Sequence, residues 1–259
     1  MLTQLVRHRK YIFENALSAF RYRYAGTVLG VLWNILNPLL TTVIYVIVFQ
    51  QILGYRSPDG KQGFALFLIA GLFPWLAFSS LITTGSKALL RNANVLRVIK
   101  MPTVVFVAIE FLVSFIELNI YFVLMLIIYP LFGINPGWTW LYLPVGAFLL
   151  LLLGFFITVV IANLQVLFED VSEFTHHVIH LWRWTMPIMY TLDIFPQAFH
   201  FWMRINPPYA FIDSIRNIIL ENQMPLARDW LLIVIWLVVF GFIGSFINRK
   251  LEPEIRDYL

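Results

Sequence analysis

Long stretches without charged residues alternate along the chain with short segments that are rich in charge. Asp, Glu, Lys and Arg are absent from four stretches of 19 to 51 residues, which are 24–55, 62–86, 118–168 and 230–248. A helix of about 20 apolar residues crosses a bilayer, so the three shorter stretches predict one helix each. The longest stretch is interrupted by Pro130, Gly133, Pro136 and Gly137, and it therefore predicts two helices.

Together with a less apolar segment at 174–192, these stretches predict six membrane spans. The predicted fold class is an all-α integral membrane protein. A membrane β-barrel is excluded because its strands alternate polar and apolar residues over roughly 10 positions, whereas the apolar runs here are continuous. The fifth span is the least apolar, since it contains Arg183 and Pro187. The spans are predicted at Leu29–Leu53, Phe64–Gly85, Thr103–Tyr129, Pro144–Phe168, Phe174–Leu192 and Trp230–Asn248.

Basic residues near the span ends predict the orientation of the chain. Twelve Lys and Arg residues lie before span one, in the loop after span two and in the tail after span six. Five lie on the opposite side, among them Arg56 and Lys61. Because cytoplasmic loops carry an excess of Lys and Arg, both termini are expected to be cytoplasmic.

Two cytoplasmic segments have helical patterns of their own. Residues 1–28 form a leader in which apolar residues, Phe20 and Tyr24 among them, recur every three to four positions. This spacing predicts an amphipathic helix on the membrane surface. The loop 86–102 combines apolar residues at helical spacing with positive charges only, and it predicts a short helix that ends before Pro102.

The segment between spans five and six predicts short helices rather than a plain loop. Residues 193–229 contain an aromatic patch, typical of a membrane interface, and then Asn206 followed by Pro207 and Pro208, which predicts a helix start. That second helix is expected on the outer leaflet or dipping into it. We interpret the chain as one domain over 1–259, with the leader, six spans over 29–248 and a cytoplasmic tail over 249–259.

Composition agrees with a membrane protein and excludes other classes. Of the 259 residues, 60% are hydrophobic and 12% are charged, and the mean hydropathy is +0.80. A soluble domain has about 25% charged residues. The chain has no Cys, which excludes a secreted disulfide scaffold, and its hydrophobicity excludes disorder.

Two carboxylates inside span three are the strongest candidates for chemistry. Glu110 and Glu117 are two helical turns apart, so they share one face at a separation of about 10 Å. Intramembrane carboxylates often serve proton transfer, ion passage or acid–base catalysis. The structural alternative is hydrogen bonding to neighbouring helices or pairing with Arg183, the one basic residue inside a predicted span.

Other candidate sites are weaker. His176 and His180 have the spacing of two metal ligands on a helix, with His177 between them, but the motif H-E-x-x-H is absent and no metal site is predicted. The stretch 54–62 resembles a phosphate loop but has five residues between its glycines and Gln62 in place of Ser or Thr. No catalytic motif is found, so no catalytic residue is predicted and the chain is not expected to be an enzyme.

Aromatic residues in and beside the spans have two interpretations. Trp33, Tyr45, Phe73 and Trp75 are ordinary members of a lipid-facing belt, or they line a path on which sugar rings stack. The sequence alone leaves both interpretations open.

Three groups of residues resemble a known family. They are 21–30 (RYRYAGTVLG) with Trp33, Asn37 and Pro38; Gly71–Trp75 with the following loop 92–102; and Pro187–Tyr190 with Asn206, Pro207 and Arg216. In this order and spacing the chain resembles permease subunits of ABC-2 type polysaccharide exporters, the branch that exports O-antigen, capsule or teichoic acid. The resemblance extends over nearly the whole chain.

The resemblance implies a channel formed by two copies of the chain and two copies of a separate ABC ATPase. ATP and Mg²⁺ would bind to that partner, and this chain would bind no cofactor. The loop after span two would be the coupling helix that enters the ATPase, contributing Asn92, Val95, Leu96, Arg97, Val98 and Lys100. Second contacts with the ATPase would come from Phe20, Arg21, Arg23, Glu169 and Asp170.

The implied substrate is a long glycan on an undecaprenyl pyrophosphate type of lipid, such as O-antigen, which crosses the bacterial inner membrane. Residues 193–222 would form re-entrant helices at the outer mouth. Candidate contacts of the lipid phosphate are Arg7, Arg9, Lys10, Arg21 and Arg23, although membrane topology explains the same charges. No nucleic acid is expected as a partner, since membrane topology and attraction to anionic lipids account for the excess of Lys and Arg.

Three alternative functions remain at this point. An ABC-2 permease for a small amphiphile or drug would have the same architecture. An intramembrane enzyme on lipid-linked sugars would use Glu110 and Glu117, and a proton- or metal-coupled carrier would use the same carboxylates with the three histidines. A carrier would also be expected to contain an inverted repeat, and none is visible in the sequence.

Overall fold

The computed structural model describes residues 1–23, 25–54 and 63–258, and this part of the chain contains helices and turns but no strand. Some residues named above lie outside the described residues. They are Tyr24, Arg56, Lys61 and the Gly60-Lys61-Gln62 end of the stretch that resembles a phosphate loop. The α-helices are α1 Leu2–Arg7, α2 Arg9–Arg23, α3 Trp33–Val46, α4 Phe64–Gly85, α5 Ala88–Arg91, α6 Ala93–Val98, α7 Val104–Leu131, α8 Leu143–Leu167, α9 Val171–Trp184, α10 Gln197–Ile205, α11 Tyr209–Arg216 and α12 Ala227–Tyr258. Short 3₁₀ or π segments lie at Gly30–Leu32, Ile47–Ile52, Trp138–Tyr142, Leu192–Ile194 and Asn217–Glu221.

Five of the six predicted spans are confirmed as long apolar helices. In the described residues, five helical stretches are long and apolar enough to cross a membrane: Gly30–Ile52, Phe64–Gly85, Val104–Leu131, Trp138–Leu167 and Ala227–Arg256. The last is longer than predicted, because α12 continues past the apolar run into the charged tail. The apolar composition determines these helices, since every backbone polar group inside a bilayer must be bonded within the segment.

α4 is the centre of the bundle. It packs against α3, α7, α8, α9 and α11, and most of its side chains are buried. α12 packs along α8 and presents most of its other side chains outward. The two backbones approach closely at Gly244, where an added Cβ would lie 3.0 Å from the carbonyl oxygen of Phe156. Small residues permit such close helix packing in membranes.

Both termini lie at the same end of the bundle. Tyr11 of α2 packs edge-on against Phe106, near the start of α7, at 6.5 Å between ring centroids. Near the other terminus, Arg256 of α12 donates a 3.0 Å hydrogen bond to the carbonyl of Met101, just before α7. The Oδ1 atom of Asn248 joins α12 to α7 and α8 at the same end, because it accepts from Thr103 at 3.1 Å and Asn163 at 3.3 Å.

The helix at the predicted fifth span is too short to cross a bilayer by itself. α9 has 14 residues, Val171–Trp184, and spans about 21 Å at 1.5 Å per residue, against about 30 Å of hydrocarbon. The predicted helix over 174–192 is therefore wrong in its second half. Beyond Trp184 the chain turns, and Met186–Met189 are buried as non-helical backbone. Pro187 has no backbone N–H and its ring crowds the preceding helical turn, which explains the break.

The leader packs against the bundle on one side only. Ile12, Ala16 and Phe20 of α2 are buried, and α2 contacts α7. Phe13 and Leu17, on another face of the same helix, are exposed.

The loop after span two is divided into two short helices instead of one. α5 and α6 are separated at Asn92, whose side-chain amide donates a 2.8 Å hydrogen bond to the carbonyl of Ala88. This local bond competes with continued helix, as Asn side chains commonly do.

The segment after α9 contains one exposed and one buried short helix. α10 exposes Phe199, Phe201 and Trp202. α11 and the π turn after it are buried from Tyr209 to Ile219, with few exceptions. The apolar face of the second predicted helix therefore packs against protein.

Candidate functional site: a polar groove in the helix bundle

A polar groove of about 460 Å³ opens between α3, α4, α7 and α9, beside the end of α2. Its presence inside an apolar bundle is notable because polar groups are costly in a membrane unless they face one another or water. The groove is lined by Arg23, Asn37, Pro38, Thr41, Trp75, Leu76, Ser79, Ser80, Thr83, Thr84, Glu117, Tyr121, His176, Ile179, His180 and Arg183. It therefore combines hydroxyl, amide, aromatic and charged groups.

A stripe of hydroxyl residues on α4 forms one wall of this groove. Ser79, Ser80, Thr83 and Thr84 follow one another at the spacing of a single helix face. Ser79 donates to the carbonyl of Leu76 at 3.0 Å, Thr83 to that of Ser79 at 2.8 Å and Thr84 to that of Ser80 at 2.7 Å. Such internal bonds hold the hydroxyl protons of Ser79 and Thr83 within the helix, whereas the single proton of Thr84 is shared between Ser80 and Glu110. We did not predict this stripe, although its spacing is visible in the sequence.

The intramembrane carboxylates are paired with two arginines. Arg23 donates to Glu117 at 2.5 Å and to Glu110 at 3.0 Å. Arg91, on α5, donates to the other oxygen of Glu110 at 2.7 Å. The side chains of Glu110 and Glu117 are 8% and 3% exposed, so this is a nearly buried network of two positive and two negative charges.

Hydroxyl groups of α4 complete the network. Ser80 donates to Glu117 at 3.3 Å and Thr84 to Glu110 at 3.2 Å. Arg91 also donates to the backbone carbonyl of Thr84 at 2.9 Å, near the end of α4. A buried charge is tolerated only where it is paired and hydrogen-bonded, and these bonds meet that requirement.

Of the two structural alternatives for these carboxylates, hydrogen bonding to a neighbouring helix is found, and pairing with Arg183 is not found in the described structure. The guanidinium of Arg183 stands 5.8 Å from the ring centroid of Tyr45 and lines the groove from α9. The partner is Arg23 because α2 packs along α7 and ends beside Glu117. Arg23 was predicted only as an ATPase or lipid-phosphate contact, so its position inside the bundle was missed.

A second polar recess continues the groove toward the end of α4. It measures about 350 Å³ and shares Thr83, Thr84 and His176 with the groove. Its full lining is Thr83, Thr84, Lys87, Arg91, Ser172, Glu173 and His176. Groove and recess together form a polar path from the interior of the bundle to the end where the termini lie.

The three histidines lie in the middle turns of α9. His176 and His180 approach to 3.3 Å between their Nε2 atoms, and both line the groove. His177 forms an exposed contact of 3.5 Å with Glu173. Within the described residues, no group of three or more His, Asp or Glu side chains is placed to hold a metal ion.

The four candidate channel aromatics occupy different environments. Trp75 lines the groove and packs edge-on against Trp182 at 6.1 Å. Phe73 is fully buried and packs on Tyr121 at 5.3 Å, away from open space. The guanidinium of Arg183 lies over the ring of Tyr45. Trp33 is partly exposed at the start of α3.

Two of the three family-like groups of residues meet beside Gly71 of α4. Arg216 of α11 is buried and donates to the carbonyls of Pro187 at 3.0 Å and Ile188 at 3.4 Å. Its guanidinium stacks on the ring of Phe67, 3.9 Å from the centroid. Gly71 provides the space that this guanidinium occupies, because a Cβ at Gly71 would lie 2.5 Å from the Nη2 atom of Arg216.

Asn206 links the same region to α9. Its Oδ1 atom accepts a 2.7 Å hydrogen bond from the indole of Trp182, and its amide donates to Thr185 at 3.2 Å. The non-helical segment after α9 is thus held by Asn206, which follows α10, and by Arg216 of α11.

The predicted ATPase-contact residues differ strongly in exposure. On α6 and just after it, Val98, Arg97 and Lys100 are exposed, whereas Leu96 is buried and Asn92 and Val95 are partly buried. Among the second contacts, Arg21, Glu169 and Asp170 are exposed and Phe20 is buried. The candidate phosphate contacts Arg7, Arg9 and Lys10 are exposed on the leader.

Comparisons with known proteins agree over most of the chain. The family model "ABC-2 type transporter" matches residues 12–220. The chain is 24% identical to the O-antigen export system permease protein RfbA of Myxococcus xanthus, over 99% of this chain and 98% of that protein. It is 28% identical to RfbA of Klebsiella pneumoniae, over 92% and 91% of the two chains. It is 24% identical to the polysialic acid transport protein KpsM of Escherichia coli, over 92% of each.

Proposed function

The chain belongs to the ABC-2 type transporter family, and we propose that it is the channel-forming permease of an exporter that carries a lipid-linked polysaccharide across the bacterial inner membrane. O-antigen on an undecaprenyl pyrophosphate type of lipid is the substrate that we favour. The observation that carries the proposal is the polar groove inside an apolar bundle. The names of the relatives, O-antigen export permease and polysialic acid transport protein, support the same substrate class.

The groove offers what a sliding sugar chain needs. Its hydroxyls and Asn37 supply hydrogen-bond partners, whereas Trp75, which is 1% exposed and packs on Trp182, serves as a rigid wall of the groove. Hydroxyl groups both donate and accept, so they accept successive sugars without strict orientation. We propose that two copies of the chain pair with their grooves facing each other and enclose the path.

The bundle supports six crossings although one is not a full-length helix. α8 ends and α9 begins near the end where Asn248 of α12 lies, since Asn163 of α8 contacts Asn248. α12 begins at Ala227, its opposite end, so the chain crosses the bundle between Val171 and Ala227. We propose that α9 and the buried segment after it make this crossing, with α10 and α11 at the outer mouth.

The end of the bundle that holds both termini is the proposed cytoplasmic face. The leader, the α5–α6 segment and the α8–α9 turn with Glu169 and Asp170 all lie there. Excess Lys and Arg in the leader, the α5–α6 segment and the tail favour this orientation. A separate ATPase docked on this face would push α6 when it closes on ATP, and the groove would open in response.

The fixed charge partners favour transport over intramembrane catalysis. Glu110 and Glu117 each accept hydrogen bonds from an arginine and from a hydroxyl of α4. A carboxylate that is already paired in this way is a poor acid or base. We therefore assign these residues to structure and coupling, and not to proton transfer.

Val98→Asp is expected to abolish most glycan export while the chain still inserts. Val98 is 84% exposed on α6, so a carboxylate there is solvated in the free chain but disrupts an apolar contact with a partner. Loss of a central interface contact lowers binding by about tenfold or more. Surface glycan and chain abundance are measured together in a strain that lacks the native gene.

The matched control is Tyr258→Asp, another exposed apolar residue at the same end of the bundle. Leu96→Asp is unsuitable as a first test because Leu96 is only 7% exposed, and a charge there destabilises the fold itself. Normal export by the Val98→Asp chain contradicts the coupling assignment.

Purification from the native membrane tests the exporter class directly. We expect a soluble subunit with a phosphate loop and ATPase activity to accompany the tagged chain in a one-to-one ratio. Isolation of the chain without such a subunit in several mild detergents counts against the proposal. Loss of the glycan from the cell surface on deletion of the gene then tests the substrate class.

A further inference from the structure

The arginine–carboxylate network also separates a third polar cavity from the groove and its recess. A pocket of about 460 Å³ lies between α2 and the α5–α6 junction, and we name it the leader pocket. Arg23 lines both the groove and the leader pocket, and Arg91 lines both the recess and the leader pocket. Glu110 lies between them, because each of its oxygens accepts from one of the two arginines.

The two arginine contacts of Glu110 differ in how firmly they are held. The side chain of Arg91 is 49% exposed and Glu110 is its carboxylate partner in the described structure. The side chain of Arg23 is 22% exposed and reaches two carboxylates, of which Glu117 is nearly buried. A half-exposed pair is cheap to break, whereas separating a buried pair leaves an uncompensated charge.

Arg91 also ties the α5–α6 segment to the bundle by charge. It is the last residue of α5 and directly precedes Asn92 and α6. It bonds to Glu110 of α7 and to the carbonyl of Thr84 in the last turn of α4. A force on α6 is therefore applied to the Arg91–Glu110 contact before it reaches the contacts of Arg23.

We propose that Arg91 and Glu110 form a releasable latch, and that Arg23 and Glu117 form the fixed hinge beside it. In the closed state the latch holds the α5–α6 segment against the leader and separates the recess from the leader pocket. When α6 is displaced, Arg91 leaves Glu110 and the two cavities join, while Arg23 keeps the leader on α7. This inference rests on the proposed function, because the displacement is attributed to an ATPase.

Engineered cysteines report the latch without reference to any substrate. The chain has no Cys, so a Ser18→Cys and Asn92→Cys pair contains the only thiols. These two positions lie on opposite sides of the leader pocket. The yield of crosslinking by a short bis-maleimide, measured in membranes, reports how closely α5–α6 is held to the leader.

Arg91→Gln in this background is expected to lower the crosslinking yield by about twofold to fivefold, the upper range for loss of one half-exposed ion pair. Arg91→Lys is expected to restore part of the yield, since the charge remains but one of its two bonds is lost. Lys250→Gln removes an exposed charge of α12 at the same end of the bundle, outside the network, and it is expected to leave the yield at the wild-type level.

Coupling is measured with the same variants in the purified transporter and in cells. With Arg91→Gln, we expect export to fall by about tenfold while ATPase activity of the complex stays within about twofold, because the push is no longer transmitted. A merely structural role would lower both together with chain abundance. An unchanged crosslinking yield with Arg91→Gln overturns the latch. Failure of the wild-type chain to support glycan export overturns the proposed function and leaves the crosslinking result intact.

Discussion

Arg23→Gln is expected to lower the thermal unfolding midpoint of the detergent-solubilised chain by about 10 °C. The change removes the guanidinium that bonds Glu117 at 2.5 Å and Glu110 at 3.0 Å. Glu117 is then a nearly buried carboxylate that keeps the hydrogen bond from Ser80. Breaking one side of a buried pair costs about 3–5 kcal/mol, and each kcal/mol corresponds to roughly 2–4 °C in a protein of this size.

The double variant Arg23→Gln with Glu117→Gln separates the charge from the packing. The double variant leaves no uncompensated buried charge at position 117, so more than half of the lost stability is expected to return. Arg21→Gln, two residues away and exposed, is expected to unfold like the wild-type chain. Additive losses in the double variant contradict the pairing that we describe.

Arg216→Met is expected to destabilise the chain by about 3 kcal/mol. Arg216 is the donor to the carbonyls of Pro187 and Ile188 and stacks on Phe67. A methionine of similar length fills part of the space but donates to neither carbonyl, and each buried group left without its partner costs about 1–3 kcal/mol. The thermal unfolding midpoint in detergent is the measurement, with exposed Arg204→Met as control.

Gly71→Ala provides a coupled test of the same contact. An added Cβ at Gly71 would lie 2.5 Å from the Nη2 atom of Arg216, and overpacking of this kind costs about 1–3 kcal/mol. The cost should disappear when Arg216→Met is already present, because the flexible methionine moves aside. Equal effects of Gly71→Ala in both backgrounds would show that Arg216 is not what requires the glycine.

The prediction of membrane spans from sequence succeeded where the pattern is local. The stretches around Phe64–Gly85 and Val104–Leu131 are apolar over a full bilayer thickness, and a helix there is the simplest way to bond the backbone. The prediction failed for α9, where an arginine, a proline and three histidines dilute the apolar pattern. There the chain is held by Asn206 and Arg216, which come from later in the sequence.

The site was predictable only in part for the same reason. The helical period placed Glu110 and Glu117 on one face without any structure. Their partner Arg23 lies 87 and 94 residues away in sequence. Arg183, nearer in the sequence, was the natural candidate from span positions alone, but the packing of α2 on α7 brought a different guanidinium to the carboxylates.

The sequence by itself determined that this is a helical membrane protein, where five of its spans lie and which carboxylates share a face. These properties depend on apolar content and helical period, which are local quantities. Only the tertiary structure decided that Arg23 and Arg91 neutralise the carboxylates, that the hydroxyls of α4 face a groove and that Leu96 is buried while Val98 is exposed. Those outcomes depend on which helices pack together, and packing is decided by contacts between residues that are far apart along the chain.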